Sequence, residues 1–352
     1  MQSRILIYTR LGVPIAELQA DVDRNWILDD VGAATFVLSL KDPKLTRENI
    51  EFGNLIVISS PYVKPWVGVI DTPRSWLTGG VRVKAYSAER LLSYRTPVKV
   101  NFSKKTIVDP EVLEGTSGAL FAQIIERVNR EEDTLIRLGD IWIGDQTRQQ
   151  TLSTGHYLKH VIEIADRVPC DYEIIPIISD RGMLTLKANW LQRKGQDKSA
   201  WLVLEEGENM EIESEGLTEQ GEIFNQVTGV SEGSTTNTRF AHMTENADSR
   251  ARYGLRQSDA NNFYGVTQLE TVVSNTQTIL DKSRAPRKLL RAAVTDKTLF
   301  AKIQEGDTVT MLLHKAGFRD DGSLGLLTTS RVLGMGLNDT KARLELVMSE
   351  VL

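Results

Sequence analysis

Apolar and polar residues alternate with a period of two in separate regions of this 352-residue chain, and this alternation limits the possible folds more than any other feature. Examples are TFVLSLK (35–41) and VRVKAYS (81–87) near the start and RLELVMS (343–349) near the end. Successive side chains of a strand point to opposite faces, so each segment can bury one face and expose the other. The sequence therefore predicts antiparallel sheets at both ends of the chain.

Three stretches instead show the helical period. TSGALFAQIIERVNREE (116–132) and STGHYLKHVIEIADRV (153–168) each carry one apolar stripe, and so does the longer YGVTQLETVVSNTQTILDKS (264–283). DYEIIPII and MLTLKANW flank the turn SDRG (179–182) and predict a hairpin. The fold class predicted is α+β, mainly β. The predicted domains are an antiparallel β domain at 1–97, a mixed α/β domain at 98–200 with two helices and a hairpin, and a second β domain at 201–352 that includes the helix at 264–283.

The overall composition excludes several classes of protein. A net charge of −5 argues against a protein that grips duplex DNA through a concentrated basic surface. The single cysteine, Cys170, excludes an internal disulfide and any zinc site with two cysteine ligands from this chain. No segment approaches the roughly 20 apolar residues of a membrane helix, and the first residues do not resemble a signal peptide. We expect assembly in a cytoplasm and no membrane insertion.

Motifs of catalytic or cofactor sites are not evident. No Gly-Lys dipeptide offers a phosphate loop, and GMG (334–336) lacks the rest of a dinucleotide fingerprint. His156, His160 and Glu163 share one helical face, which would suit a metal, but that face lies opposite the apolar stripe of the same helix. We therefore expect these three side chains to be solvated, and we expect no catalytic residue, cofactor or metal.

The order of charges is unusual. No lysine or arginine occurs from Ser199 to Thr238, whereas glutamates recur there, and a basic segment, KSRAPRKLLR (282–291), follows later. One interpretation is two solvated faces. The other is that the acidic tract lines a passage or meets the basic segment of a neighbouring subunit. The candidate lumen or subunit-interface charges are Glu205, Glu206, Glu208, Glu211, Glu213, Lys282, Arg284, Arg287 and Lys288.

Taken in order, these segments resemble the baseplate hub or tail-tip hub proteins of tailed bacteriophages. The resemblance rests on WVGVID (66–71) followed by VRVKAYSAERLLSYR (81–95), on FNQVTGV (224–230) with its Asn-x-Val-x-Gly element, on RYGLR (252–256), and on a Gly-Asp turn before a late strand. The residues that match the family pattern are Asn225, Val227, Gly229, Gly306 and Asp307. It extends from about residue 4 to 350, and each matching piece is short.

The resemblance implies a fold and a role. Hubs of this family carry two tail-tube-like β-barrel domains in one chain, so that three chains imitate a six-fold ring. We therefore expect a homotrimeric structural protein of the virion at the distal end of a tail. It would join the hexameric tail tube, or a distal tail protein, to a central spike or fibre and surround a channel for DNA, which passes without sequence-specific binding.

Two alternatives remain open for the function. One is the equivalent hub of a non-viral contractile injection system, and the other is a cell-wall or metal-dependent hydrolase. In the hub interpretation, Asn225 to Gly229 form the end of a barrel strand. Residues 231–250 form a long flexible loop that a neighbouring subunit or tail protein orders, because their composition favours turns and buries little apolar surface.

Overall fold

The structure is a computed structural model that describes residues 2–71, 74–101, 103, 106–107, 110–152, 155–231, 239–263, 266, 268–318 and 322–351. Strands dominate it. In the first half they are β1 (Ser3–Tyr8), β2 (Pro14–Ala20), β3 (Val22–Ile27), β4 (Ala33–Ser39), β5 (Leu55–Ser60), β6 (Val63–Ile70), β7 (Ser75–Leu77), β8 (Gly80–Ser87), β9 (Val100–Asn101), β10 (Thr106–Ile107), β11 (Glu111–Gly115), β12 (Ile136–Ile141), β13 (Arg148–Leu152) and β14 (Asp171–Ile178). The second half contains β15 (Leu184–Leu191), β16 (Val203–Glu205), β17 (Met210–Gln220), β18 (Gln226–Ser231), β19 (Ala241–Glu245), β20 (Asn261–Phe263), β21 (Arg287–Val294), β22 (Thr308–Phe318), β23 (Leu324–Asn338) and β24 (Arg343–Glu350).

The α-helices are α1 (Ser117–Glu131), α2 (Tyr157–Arg167), α3 (Ala247–Tyr253) and α4 (Leu269–Ser283), and Ala88–Tyr94 and Lys297–Lys302 form 3₁₀ helices. Helix α1 begins where the sequence predicts, because the Thr116 hydroxyl accepts a hydrogen bond from the backbone N–H of Ala119. Within the described ranges, none of the helices has the length and apolar character needed to cross a bilayer. The prediction of a mainly β, α+β fold is confirmed.

Most strands belong to one continuous sheet that runs through both ends of the chain. Strands β2-β1-β5-β6-β8-β4-β3, with β7 beside β8, form the N-terminal β unit, and β17-β21-β24-β23-β22-β16 form the C-terminal β unit. The units join where the second half of β23 pairs antiparallel with β3, with Met335 opposite Trp26. Their apolar side chains form one cluster that contains Phe36 and Trp66 from the first unit and Leu346 from the second. The two β units therefore share a core as well as a sheet.

The two β units also share a topology. The order β3-β4-β8-β6-β5 in the first matches β17-β21-β24-β23-β22 in the second. Each unit has a corner where the turn before one strand is hydrogen-bonded to the next strand. Before β5, Gly53 N donates to Ile70 O (2.9 Å) and Ile70 N donates to Asn54 O (2.8 Å). Before β22, Gly306 N donates to Val332 O and Val332 N donates to Asp307 O (both 2.8 Å). Gly53 and Gly306 both have left-handed backbones, with φ of 85° and 91°. The chain thus contains the same β architecture twice.

A middle unit, residues 111–191, lies between the two β units. The predicted hairpin forms from β14 and β15, and β12 adds to β15 in parallel. Helix α1 packs on this sheet, and α2 packs on α1 and β13. Phe121, Tyr172 and Trp190 pack together in the core of the unit, with ring centroids 5.1 to 6.3 Å apart. All three aromatic side chains are buried and belong to the apolar core of this unit.

A second, smaller insertion corrects two expectations about residues 225–250. Asn225 to Gly229 do not end a strand of the large sheet, because β18 belongs to a separate sheet, β19-β18-β20, on which α4 packs. Residues 241–253 are not a loop, since they form β19 and α3. Residues 232–238 of the expected loop lie outside the described residues. This small-sheet unit, residues 225–283, extends from the β17–β21 pair of the C-terminal β unit.

Candidate functional site

Asn225, Val227 and Gly229 hold the small-sheet unit together. The Asn225 side chain is fully buried; its Oδ1 accepts from Arg256 N (2.8 Å) and its Nδ2 donates to Gly254 O (2.6 Å). Val227 is also fully buried. A Cβ at Gly229 would lie 2.1 Å from Thr276 Oγ1, so glycine is needed for α4 to approach the sheet. The Asn-x-Val-x-Gly element therefore has a structural role.

Gly306 and Asp307 join the C-terminal β unit to the segment that leaves the middle unit. The buried Asp307 carboxylate accepts from Gln196 N and Gln304 N (both 2.8 Å) and from Lys198 Nζ (2.6 Å). Gly306 faces Gly195, and a Cβ on either would lie within 2.5 Å of the opposite backbone. Two left-handed glycines thus bring the two chain segments into direct contact.

Next to this corner, a buried ionic cluster connects all three larger units. Glu305, only 2% exposed, accepts hydrogen bonds from Lys64 of β6 and from Lys194 Nζ (2.8 Å), and Lys194 Nζ also lies 3.2 Å from Glu173 Oε2 of β14. Burial alone would lower the pKa of Lys194, but the charges of Glu305 and Glu173 outweigh it and raise that pKa above its ordinary value. The lysine therefore stays charged and fixes the relative positions of the units.

A carboxyl group with a raised pKa, that of Asp29, lies beside the same cluster. Asp29 has a left-handed backbone (φ 56°), and its Oδ1 accepts from Tyr172 N at 2.9 Å. Burial, together with the nearby negative charge of Asp171, raises the pKa of Asp29 to about 8. Asp29 and Lys64 line a cavity of about 40 Å³, which has room for water.

A second buried ion pair crosses the seam between the β units. The side chains of Arg24 on β3 and Asp339 after β23 are fully buried, 3.4 Å apart. Asp339 Oδ2 also accepts from Val22 N at 3.1 Å, and Arg24 donates to Ser3 Oγ at 3.0 Å. This ion pair connects β3 to the turn that follows β23.

The glutamates of the acidic tract mostly have partners within the chain. Glu205 Oε1 lies 3.0 Å from His314 Nε2, and Glu206 accepts from the backbone N–H of His314 at 2.7 Å. Glu211 and Glu213 lie 3.9 and 3.7 Å from the guanidinium of Arg343 on β24. Glu208 occupies the turn between β16 and β17 and is exposed. The tract is therefore divided between two strand pairs instead of forming one unpaired acidic surface.

The basic segment lies beside this tract. Strands β17 and β21 pair so that Glu219 is opposite Lys288, and Lys288 also lies 3.3 Å from Glu350. Lys282 at the end of α4 lies 3.6 Å from Asp166 on α2. Arg287 donates to the carbonyl of Lys282 at 3.1 Å, and the carbonyl of Arg284 accepts from Ser249. The acidic and basic tracts already meet in one chain, a contact that the sequence order alone did not indicate.

The histidines and the cysteine considered above as possible metal ligands do not form a reactive site among the described residues. His160 is buried, in contrast to the expected solvated face, with Nδ1 3.3 Å from Glu163 and 3.4 Å from Gln150 Nε2, while His156 is exposed just before α2. Within the described ranges, the side chains form no cluster of three or more potential metal ligands. Burial raises the pKa of Cys170 to about 11, so its thiol is protonated at neutral pH.

The sequence interpretation missed the two buried charge clusters. Asp29, Lys64, Lys194 and Glu305 are far apart in the sequence, and nothing in their local context distinguishes them from surface charges. One available signal was the similarity of EFGNLIVIS (51–59) and QEGDTVTML (304–312). In each segment a glycine is followed by Asn or Asp and then by a strand. That repetition marks the duplicated corner.

Comparison with solved structures shows the fold to be that of phage tail proteins. Prophage tail protein gp18 from Listeria monocytogenes EGD-e is 11% identical, with a TM-score of 0.56 over 98% of this chain and 94% of that chain. The 43 kDa tail protein of prophage MuSo2 from Shewanella oneidensis is 11% identical, with a TM-score of 0.59 over 100% and 98%. A tail protein from Neisseria meningitidis MC58 is 12% identical, with a TM-score of 0.55 over 99% and 97%.

Sequence comparisons alone find no relative. No protein-family model matches the chain, and no curated protein matches it. The structural likeness, at 11–12% identity, nevertheless extends over nearly the whole of each chain. The tail-protein fold that the sequence resemblance implied is confirmed.

Proposed function

We propose that this chain is a structural virion protein that forms a trimeric hub at the distal end of a phage tail. The observation that carries the proposal is the duplication of one β architecture within a single sheet, in a chain whose fold is that of tail proteins. Three copies would present six similar β units, which is the arrangement needed to match a hexameric tail tube. On its other side, the ring would hold a central spike or fibre.

The seam between the β units supports a channel-facing role for one face of the sheet. Its register directs Asp23 and Glu345 away from the core. Together with Glu213, Arg291, Gly334 and Gly336, they line an open cavity of about 440 Å³. Acidic and basic side chains are interspersed on this face, which disfavours tight binding of a polyanion. DNA could therefore pass along it without sequence-specific binding.

A structural role accounts for the buried charges better than catalysis does. The Glu305–Lys194–Lys64 cluster and the Arg24–Asp339 pair connect units of the chain, and their charged atoms are enclosed. Such connections would keep the two β units in a fixed relation, as a ring component requires. The hub would assemble in the host cytoplasm and remain in the virion tail.

Location and copy number in tails test this proposal. We expect gold-labelled antibody against this chain to bind the distal tip of isolated tails, and quantitative mass spectrometry to give three copies per six copies of one tail-tube ring. Labelling along the tube would contradict the proposed position. Normally assembled tails that lack this chain would contradict it as well.

A further inference from the structure

Among the strands that the structure describes, β7 and β17 are two of those with an unpaired edge. Strand β7 pairs with β8 on one side, and β17 pairs with β21 on one side; among the described residues, no strand pairs with their opposite edges. On β7, Trp76 is 69% exposed and Leu77 is 37% exposed. Unpaired edges with large apolar side chains are sites where another strand can add.

The internal duplication identifies what these edges correspond to. In the shared strand order, β8 matches β24 and β3 matches β17. The corner hydrogen bonds align Ile70 with Val332. Strand β7 follows this corner in the first unit, as the second half of β23 does in the second unit. The two segments also pair with matching strands, since Trp76 is opposite Val81 and Leu337 is opposite Leu344. Strand β7 therefore corresponds to the second half of β23.

Within the chain, the second half of β23 pairs antiparallel with β3, and this pairing is the seam between the β units. By the same correspondence, the edge of β7 would pair with the edge of β17. Both edges are unoccupied among the described residues, so another copy can supply the partner strand. We propose that β7 of one copy adds antiparallel to β17 of the next, which repeats the internal seam between subunits.

The register of this contact follows from the seam. Leu337 is opposite Arg24 there, and Leu217, the first paired residue after the bulge in β17, takes the place of Arg24. Trp76 should therefore be opposite Leu217, which places Ser75 opposite Thr218. Trp76 takes the place of Leu337, which is fully buried in the seam. The exposed Trp76 would thus be covered in the assembly as Leu337 is covered in the chain.

Charge is compatible with this partner. Glu213 and Glu219 of β17 already face Arg343 and Lys288 of the same chain. In this register Arg74, next to β7, would be opposite Glu219 of the next copy, so the contact brings no like charges together. The contact is heterologous, so it builds a closed ring when its rotation matches that of the internal seam. This inference rests on the proposed trimer.

Disulfide crosslinking tests the register. The double variant Ser75→Cys with Thr218→Cys is oxidised and run on a non-reducing gel; we expect covalent species of two and three chains and none larger. Co-expression of the two single variants should give only the two-chain species. The matched control, Ser75→Cys with Glu208→Cys, uses another exposed position near β17 and should give neither. All the replaced side chains are exposed, and circular dichroism confirms folding of each variant.

The outcomes separate this contact from the proposed function. Crosslinks specific to the Ser75 and Thr218 pair in a three-chain particle support it. A particle of three chains without crosslinks, or with equal crosslinking in the control pair, refutes the β7–β17 contact and leaves the trimer standing. A single-chain mass for the unmodified protein overturns both.

Discussion

Replacing Asp29 with asparagine should change how the stability of the protein depends on pH. The pKa of Asp29 is raised to about 8 in the folded chain, first by burial and then by the charge of Asp171, from 3.8 as the ordinary value. Between these two values the native state holds one proton more than the unfolded state. This contribution to stability is complete below about pH 4 and is lost as the pH rises towards 8.

The magnitude follows from the linkage relation. Each pH unit in this window removes about 1.4 kcal/mol, so the wild type should lose on the order of 2–3 kcal/mol from Asp29 between pH 5 and pH 7. Asparagine does not titrate, keeps an oxygen to accept from Tyr172 N, and tolerates the left-handed backbone. The variant should therefore gain stability relative to the wild type as the pH rises.

Guanidinium unfolding followed by tryptophan fluorescence at pH 5, 6 and 7 measures this difference. Asp30→Asn, at the exposed neighbouring position, serves as the control and should follow the wild-type profile. If the free energies of unfolding of Asp29→Asn and wild type differ by the same amount at all three pH values, Asp29 does not hold a proton in the folded chain and the reasoning is wrong.

Three further perturbations address other parts of the account. Asp339→Asn leaves the buried Arg24 guanidinium without its carboxylate and should cost about 3–5 kcal/mol in denaturant unfolding; an unchanged midpoint would argue against a role for this pair in joining the β units. Gly229→Ala should cost about 1–3 kcal/mol through overpacking beneath α4, whereas Gly79→Ala, where a Cβ meets no atom within 4 Å, should melt like the wild type. Glu213→Lys adds positive charge to the proposed channel face and should slow DNA release from assembled particles in a fluorescence assay; release at the wild-type rate would count against that face lining the channel.

Local patterns predicted much of the fold. The apolar stripe and the Thr116 cap located α1 to within a residue, and the alternation around SDRG located the β14–β15 hairpin. These succeed because helix and hairpin formation depend on neighbours in sequence. Helix α4 begins at Leu269, and residues 264, 265 and 267 of its predicted first turn lie outside the described residues.

Long-range contacts were not predictable in the same way. His160 shares a helical face with Glu163, but β13 covers that face with Gln150, and only tertiary packing decides this. Asn225 was expected in a barrel strand, but its buried amide instead satisfies backbone groups 29 and 31 residues away in the small-sheet unit. The parallel addition of β12 to β15 and the pairing of β3 with β23 join segments that no local pattern connects.

The mass of the purified protein in solution tests the central proposal most directly. Native mass spectrometry, supported by light scattering over a range of concentrations, should give about 118 kDa, three times the 39.4 kDa of one chain, and negative-stain images should show a three-fold ring with a central hole. A compact particle of 39.4 kDa at all concentrations would contradict a self-assembling trimeric hub.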